Sequence, residues 1–195
     1  AQGAEAQAVG VAPKERGALL DDVVPRLKRL LAGETLDIPG PAGLITDVHL
    51  EPAARQQPLD IWLGGTAPSA LRRCGAIGDG WLPSLVSADE AREGRAVIEQ
   101  VASDHGRAVD PEHFGVSIAY ATEEPPGALV AAFERRARRA QLAEVLPVGW
   151  AALRALLEGY VEAGFSKFVL RPLVPVTSWT SELERLRNEV GDLQT

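Results

Sequence analysis

The stretch LDIWLGGTAPS, residues 59–69, holds the residues best suited to chemistry. An apolar run, Leu59–Leu63, stops at Gly64-Gly65, and Thr66, Pro68 and Ser69 follow. Glycine has no side chain, so main-chain amides there can close directly on a ligand. Pro68 suits the first turn of a helix, whose unpaired N–H groups and positive partial charge favour an anion. The hydroxyls of Thr66 and Ser69 add donors. The pattern predicts a phosphate pocket at the carboxyl end of a parallel strand, where ligands bind in such sheets. The plainer reading is a tight turn, with Ser69 serving only as a helix cap. No Gly-Lys-Ser/Thr follows, so this is not a Walker loop, and the glycines lack GxGxxG spacing.

Other reactive side chains form no comparable pattern. His49, His105 and His113 are far apart without HxH or HxxxH spacing, so no metal site is expected. His105 and His113 flank a loop and read as solvated. Cys74, the single cysteine, sits mid-helix and reads as a small buried hydrophobe. Asp21-Asp22 point about 100° apart on a helix, which does not make an acid–base pair. Asp79, between Gly78 and Gly80, reads as a turn residue. Arg72-Arg73 read as outward-facing, with approach to a phosphate as the alternative. Arg135-Arg136 and Arg138-Arg139 read as a solvated basic face, with an anionic ligand tail as the alternative. Trp62, Trp81, Trp150 and Trp179 are scattered, which suits core and pocket-wall roles better than base stacking.

These residues need a scaffold. The 195 residues, 46% hydrophobic and 24% charged, suit one globular domain over 1–195. A net charge of −7 disfavours nucleic acid as a partner, since phosphates need a basic face. No apolar run approaches a membrane span of about 18 residues. One cysteine excludes an intrachain disulfide framework and suits a reducing, cytoplasmic setting.

Apolar spacing predicts helices over 14–32, 68–77, 88–104, 127–146, 151–163 and 179–193. Ser87-Ala88-Asp89-Glu90 spells a capping box opening the third of these. In that helix Val97, Ile98 and Val101 are expected inside; in the last, Leu183, Leu186 and Val190. Secure strands are expected at 59–63, 80–83, 114–121 and 167–170. Residues 34–58 look irregular, with a short strand possible at Leu44–Leu50. Strands alternating with helices imply parallel pairing through helical crossovers. Short apolar strands suggest a sheet buried on both faces.

The longer stretch LDIWLGGTAPSALRRCGAIGDGWLP resembles the "PxWxGG…alrraa…GDGW" segment of the luciferase-like monooxygenase family. VGVAPKERGALLDDVVPRLKRLLAGE is similar to that family's helix after the fourth barrel strand. VLPVGWAALRALLEGYVEAGFSKFVLRP is similar to the segment that ends on its eighth strand. The three occur in the family's order over residues 9–190. The resemblance implies an α/β fold of the TIM (β/α)8-barrel type, here about its C-terminal half. It implies a flavin- or F420-dependent oxidoreductase or monooxygenase, with FMN or coenzyme F420 as cofactor. By the same resemblance Gly64, Gly65, Thr66 and Ser69 would hold the cofactor phosphate. Leu63 would lie near the cofactor and Trp81 near the pocket wall, in a turn that is largely a structural joint. Arg171 would meet substrate at the mouth. No catalytic residue follows from the resemblance.

The family's first four strands have no counterpart here, and the sequence contains no methionine. The expectation is therefore a half-site with exposed apolar strand edges, belonging to a longer protein or pairing with another chain. The expected partner is a small-molecule substrate, with a homo-oligomer or a reductase as further possibilities. Two other readings stay open: a non-catalytic half-barrel used for binding or assembly, and a phosphosugar-binding α/β enzyme using the same glycine loop.

Overall fold

The alternating pattern is realised in a computed structural model, which describes residues 6–135, 137 and 141–193. Helix α1 spans Arg16–Leu31 and runs through Pro25. A hairpin follows, strand β1 (Leu36–Gly40) pairing antiparallel with β2 (Gly43–Val48). The sequence reading missed β1 because Pro39 and Gly40 look like breakers. In a two-stranded ribbon both strands are edges, and an edge tolerates proline.

From β3 (Trp62–Leu63) onward strand and helix alternate. Helix α2 (Pro68–Ile77) leads to β4 (Gly80–Trp81), and α3 (Ala88–Asp104) leads to β5 (Gly115–Tyr120). Helices α4 (Gly127–Glu134), α5 (Leu142–Val145) and α6 (Trp150–Glu162) precede β6 (Lys167–Pro172), and α7 (Trp179–Val190) closes the fold. β3 pairs parallel with β4, and β5 with β6 from Gly115↔Lys167 to Tyr120↔Pro172. Single parallel bridges, Trp81↔Phe114 and Ser84↔Ser117, join the two pairs. The strands therefore lie side by side in chain order, all pointing one way, and their carboxyl ends share one rim.

Three expectations change. Helix 127–146 is not continuous: α4 ends with Arg135 as its C-cap, and α5 starts afresh where the Gln141 amide donates to the Glu144 carboxylate. Arg136, Arg138 and Arg139 lie outside the described residues. β3 is two residues long rather than five, because Ile61 bonds to Asp79 instead of to a strand. The sheet is not uniformly buried on both faces: β4 and the central strand β5 are, but the edge strand β6 is covered on one face only. Along β6, Phe168 and Leu170 pack on the core while Lys167, Val169 and Arg171 are exposed, Val169 to 44%.

The core lies between the strands and α2, α3 and α6, built from Trp81, Phe114, Val116, Ile118, Ile98, Leu153, Leu157, Tyr160 and Phe165. The capping box forms as read: the Ser87 amide donates to Glu90 and the Glu90 amide to Ser87 Oγ. Ile98 is buried, but Val97 faces solvent, and in α7 Leu183 is 58% exposed while Val190 is buried. Each displaced residue sits at the border of the apolar stripe, where spacing alone does not fix the boundary. Leu19, Leu20, Val23 and Leu27 of α1 are also exposed, leaving Val24 as its buried residue.

Cys74 is 0% exposed, and burial pushes its thiol up from 9.0 to about 12. The native protein is expected to resist iodoacetamide at pH 8 and to react once unfolded, as followed by mass spectrometry. Because the folded thiol holds its proton to higher pH than the unfolded one, its contribution to stability is constant below pH 9 and declines above it.

Candidate functional site

The glycine loop is built from below. Strand β3 delivers Leu63 toward the helix layer, where it packs against the core. The strand then stops, and Gly64 to Ser69 are all exposed. Gly65 has φ +94°, a conformation that side chains with a Cβ resist. A Cβ there would lie 3.1 Å from the Ala70 Cβ, and one on Gly64 would lie 3.3 Å from the Leu82 carbonyl. Ala67 caps α2 in an extended conformation, and Pro68 fills the first turn. The Ala67 carbonyl accepts from the amides of Ala70 and Leu71, which closes the helix start.

The consequence is a row of free donors. Among the described residues, the amides of Gly64, Gly65, Thr66, Ala67 and Ser69 have no hydrogen-bond acceptor within the protein. The hydroxyls of Thr66 and Ser69 have no protein partner among those residues either. Exposed amides at a strand end, beside a helix N-terminus, can surround one anionic group from several directions. The loop is open at the rim: the two described cavities are lined by other residues.

Trp81 does not stand at an open wall. It is 0% exposed, tilted against Phe165 at 5.9 Å, and its Nε1–H donates to the Gly65 carbonyl at 3.0 Å. Leu63 likewise supports the loop from the core side. Arg171 is exposed on the uncovered face, where its Nε donates to Ser117 Oγ at 3.1 Å. The structure brings Leu63, Gly64, Gly65, Thr66, Ser69 and Trp81 together; Arg171 stands on β6, three strands from β3.

At the opposite, amino end of β4, Asp79 is the joint. Its carboxylate accepts from Lys28 Nζ at 2.6 Å, Arg107 Nη2 at 3.3 Å and the Ile61 amide at 2.9 Å. Arg107 also donates to the carbonyls of Gly75 and Gly78, capping α2. This fastens α1, β3, α2 and β4 together, so Asp79 is structural, as its place between two glycines suggested. Arg73 does not approach the loop; it pairs with Asp21 of α1 at 2.5 Å.

Sequence reasoning missed two features. His113 is not solvated: its Nδ1 lies 3.0 Å from the Asp79 carbonyl, its Nε2 lies 3.8 Å from Asp60, and its ring rests 5.2 Å from Trp62 on the uncovered face. A cavity of about 380 Å³ opens at the ends of β5 and β6, lined in part by Tyr120, Thr122, Ser178, Glu182 and Arg185. There the Tyr120 hydroxyl donates to Glu182, and burial with that neighbouring carboxylate holds the phenol protonated well above its usual range. These residues meet only through folding, across 62 positions between Tyr120 and Glu182, so no local spacing could signal them.

The family model for luciferase-like monooxygenase matches residues 1–168. The chain belongs to the luciferase-like monooxygenase family. Solved structures agree in fold. An F420-dependent secondary alcohol dehydrogenase, in complex with an F420–acetone adduct, superposes with TM-score 0.71 at 13% identity, over 94% of this chain and 63% of its own. The coenzyme F420-dependent tetrahydromethanopterin reductase from Methanopyrus kandleri gives 0.66 at 13%, over 95% and 65%. The oxygenating constituent of 3,6-diketocamphane monooxygenase from Pseudomonas putida, solved with FMN, gives 0.70 at 13%, over 100% and 69%. No curated protein matches by sequence. This luciferase-like chain thus spans 63% and 65% of the first two proteins named. Among the described residues, no helix is long and apolar enough to cross a membrane, and no three His, Cys, Asp or Glu gather as metal ligands.

Proposed function

We propose that this chain forms part of a luciferase-like oxidoreductase whose FMN or F420 is held by its phosphate at Gly64–Ser69. The single observation carrying this is the run of unpartnered, exposed amides around Gly65 at the carboxyl end of β3. The donor set fits a phosphate: neutral N–H and O–H groups, a helix N-terminus, and no carboxylate in residues 61–78. When bound, reduced flavin activates oxygen, whereas F420 exchanges hydride.

This chain's own contribution is placement. The loop fixes the anionic end at the rim, and the uncovered face of β3–β6 presents Trp62, Ser117 and Arg171 to whatever lies against it. That face is read as the inner wall of a (β/α)8 barrel, with this chain supplying its C-terminal half and further strands required at the edges of β3 and β6. Substrate is a small molecule reaching the rim, with Arg171 and the cleft beside Tyr120 as its first contacts.

The test is fluorescence titration with FMN, F420 and riboflavin. Saturable binding of FMN or F420 is expected. If FMN is the ligand, riboflavin, which lacks the phosphate, is expected to bind at least about tenfold more weakly, as loss of about 1.4 kcal/mol implies. Binding of neither cofactor by the complete protein would refute the reading and favour an assembly module using the open β6 edge.

A further inference from the structure

The feature the phosphate reading leaves unexplained is why the loop holds its amides outward. A glycine pair is conformationally free and would sample many orientations, so something must fix it. Only one side chain reaches into the loop by hydrogen bonding among the described residues. The Trp81 indole N–H donates to the Gly65 carbonyl at 3.0 Å. A peptide unit carries its carbonyl and the next N–H on opposite sides, because the bond is planar and trans. Pulling the Gly65 carbonyl inward toward Trp81 therefore turns the Thr66 N–H outward, toward solvent.

The indole is itself immobile. It is 0% exposed, packed against Phe165, and seated on Gly94 of α3 so closely that a Cβ on Gly94 would fall 2.4 Å from its ring. Trp81 belongs to β4, so the tether crosses from one strand to the loop of its neighbour. Gly65 sits at φ +94°, one of several conformations open to glycine, so a hydrogen bond to its carbonyl can select among them.

We infer that Trp81 is a positioning residue: its buried indole N–H, by holding the Gly65 carbonyl, orients the loop amides for the cofactor phosphate, without touching cofactor itself. This rests on the phosphate reading and adds to it a cause for preorganisation. It also separates two jobs within one side chain. The ring supports the core, while the N–H serves the ligand.

Trp81→Phe separates them, keeping an aromatic ring on Gly94 while deleting the donor. The readout is the ratio of affinities for a phosphate-bearing cofactor and its phosphate-free analogue: FMN against riboflavin, or F420 against the deazaflavin lacking its phosphate. Wild type is expected to prefer the phosphate form at least about tenfold, and Trp81→Phe to reduce that ratio severalfold, leaving the analogue's affinity within about twofold. General loosening of the core would weaken both ligands together. Gly94→Ala, which crowds the ring from beneath, provides the second variant and should lower the same ratio. If wild type shows the preference and Trp81→Phe retains it, the positioning role is wrong while the phosphate site stands. If wild type shows no preference, the phosphate reading fails and this inference falls with it. If Trp81→Phe does not fold, the ratio for Gly94→Ala decides.

Discussion

Gly65→Val is expected to weaken cofactor binding by roughly 10- to 100-fold while the protein stays folded. Two costs combine at this position. The backbone sits at φ +94°, which a β-branched residue occupies only at about 1–3 kcal/mol. The new Cβ would also press on Ala70 at 3.1 Å, a contact tighter than van der Waals packing allows without a shift. The exposed loop can relieve both by moving, since its N–H groups make no bonds that would be broken and only the Trp81 indole bond to the Gly65 carbonyl is given up. Relief removes the arrangement that the proposed phosphate site needs, and each 1.4 kcal/mol lost is a factor of ten in Kd. Titration beside a thermal melt checks it: a large rise in Kd, with a modest fall in Tm. Equal affinity in mutant and wild type would contradict the role assigned to the loop.

Gly94→Val is expected to be the most destabilising substitution near the site, by about 3 kcal/mol. Helix propensity alone argues the other way, since a glycine inside a helix costs about 1 kcal/mol relative to alanine. Packing overrides it. A Cβ would meet three atoms of the Trp81 ring, at 2.4, 3.1 and 3.2 Å. That ring cannot yield cheaply, because Phe165 flanks it and its N–H is committed to Gly65. Either α3 lifts from the sheet or Trp81 leaves its seat, and both open the core. Urea denaturation measures the loss. A midpoint unchanged or raised would show that the close seat of Trp81 on α3 is not as described.

Much of this was legible in the sequence. The strand–glycine–helix order at 59–77 and the capping box at Ser87–Glu90 depend on neighbours in the chain, and both appear where local rules put them. The parallel order of β3 to β6 follows from strand–helix alternation. What escaped was non-local. The Trp81–Gly65 bond spans 16 positions, and Asp79 gathers partners from Lys28 to Arg107. Spacing marks Trp81 as apolar but cannot say that its N–H points at a loop. Nor does periodicity separate an apolar stripe that the described residues cover from one they leave exposed. Leu19, Leu20, Val23 and Leu27 repeat as a core face would, yet nothing described covers them. In the hairpin at 36–48 the second strand falls where a short strand was expected, at 44–50, but the first was missed for the opposite reason, since proline and glycine cost little in an exposed ribbon.

The most direct test is a ¹⁵N–¹H correlation spectrum of the chain recorded with and without FMN, and again with F420. The amide peaks of Gly64, Gly65, Thr66, Ala67 and Ser69 are expected to move most, and far less with riboflavin than with FMN if FMN is the ligand. Saturable binding that leaves those five peaks in place, shifting peaks elsewhere instead, would contradict a cofactor phosphate held by this loop.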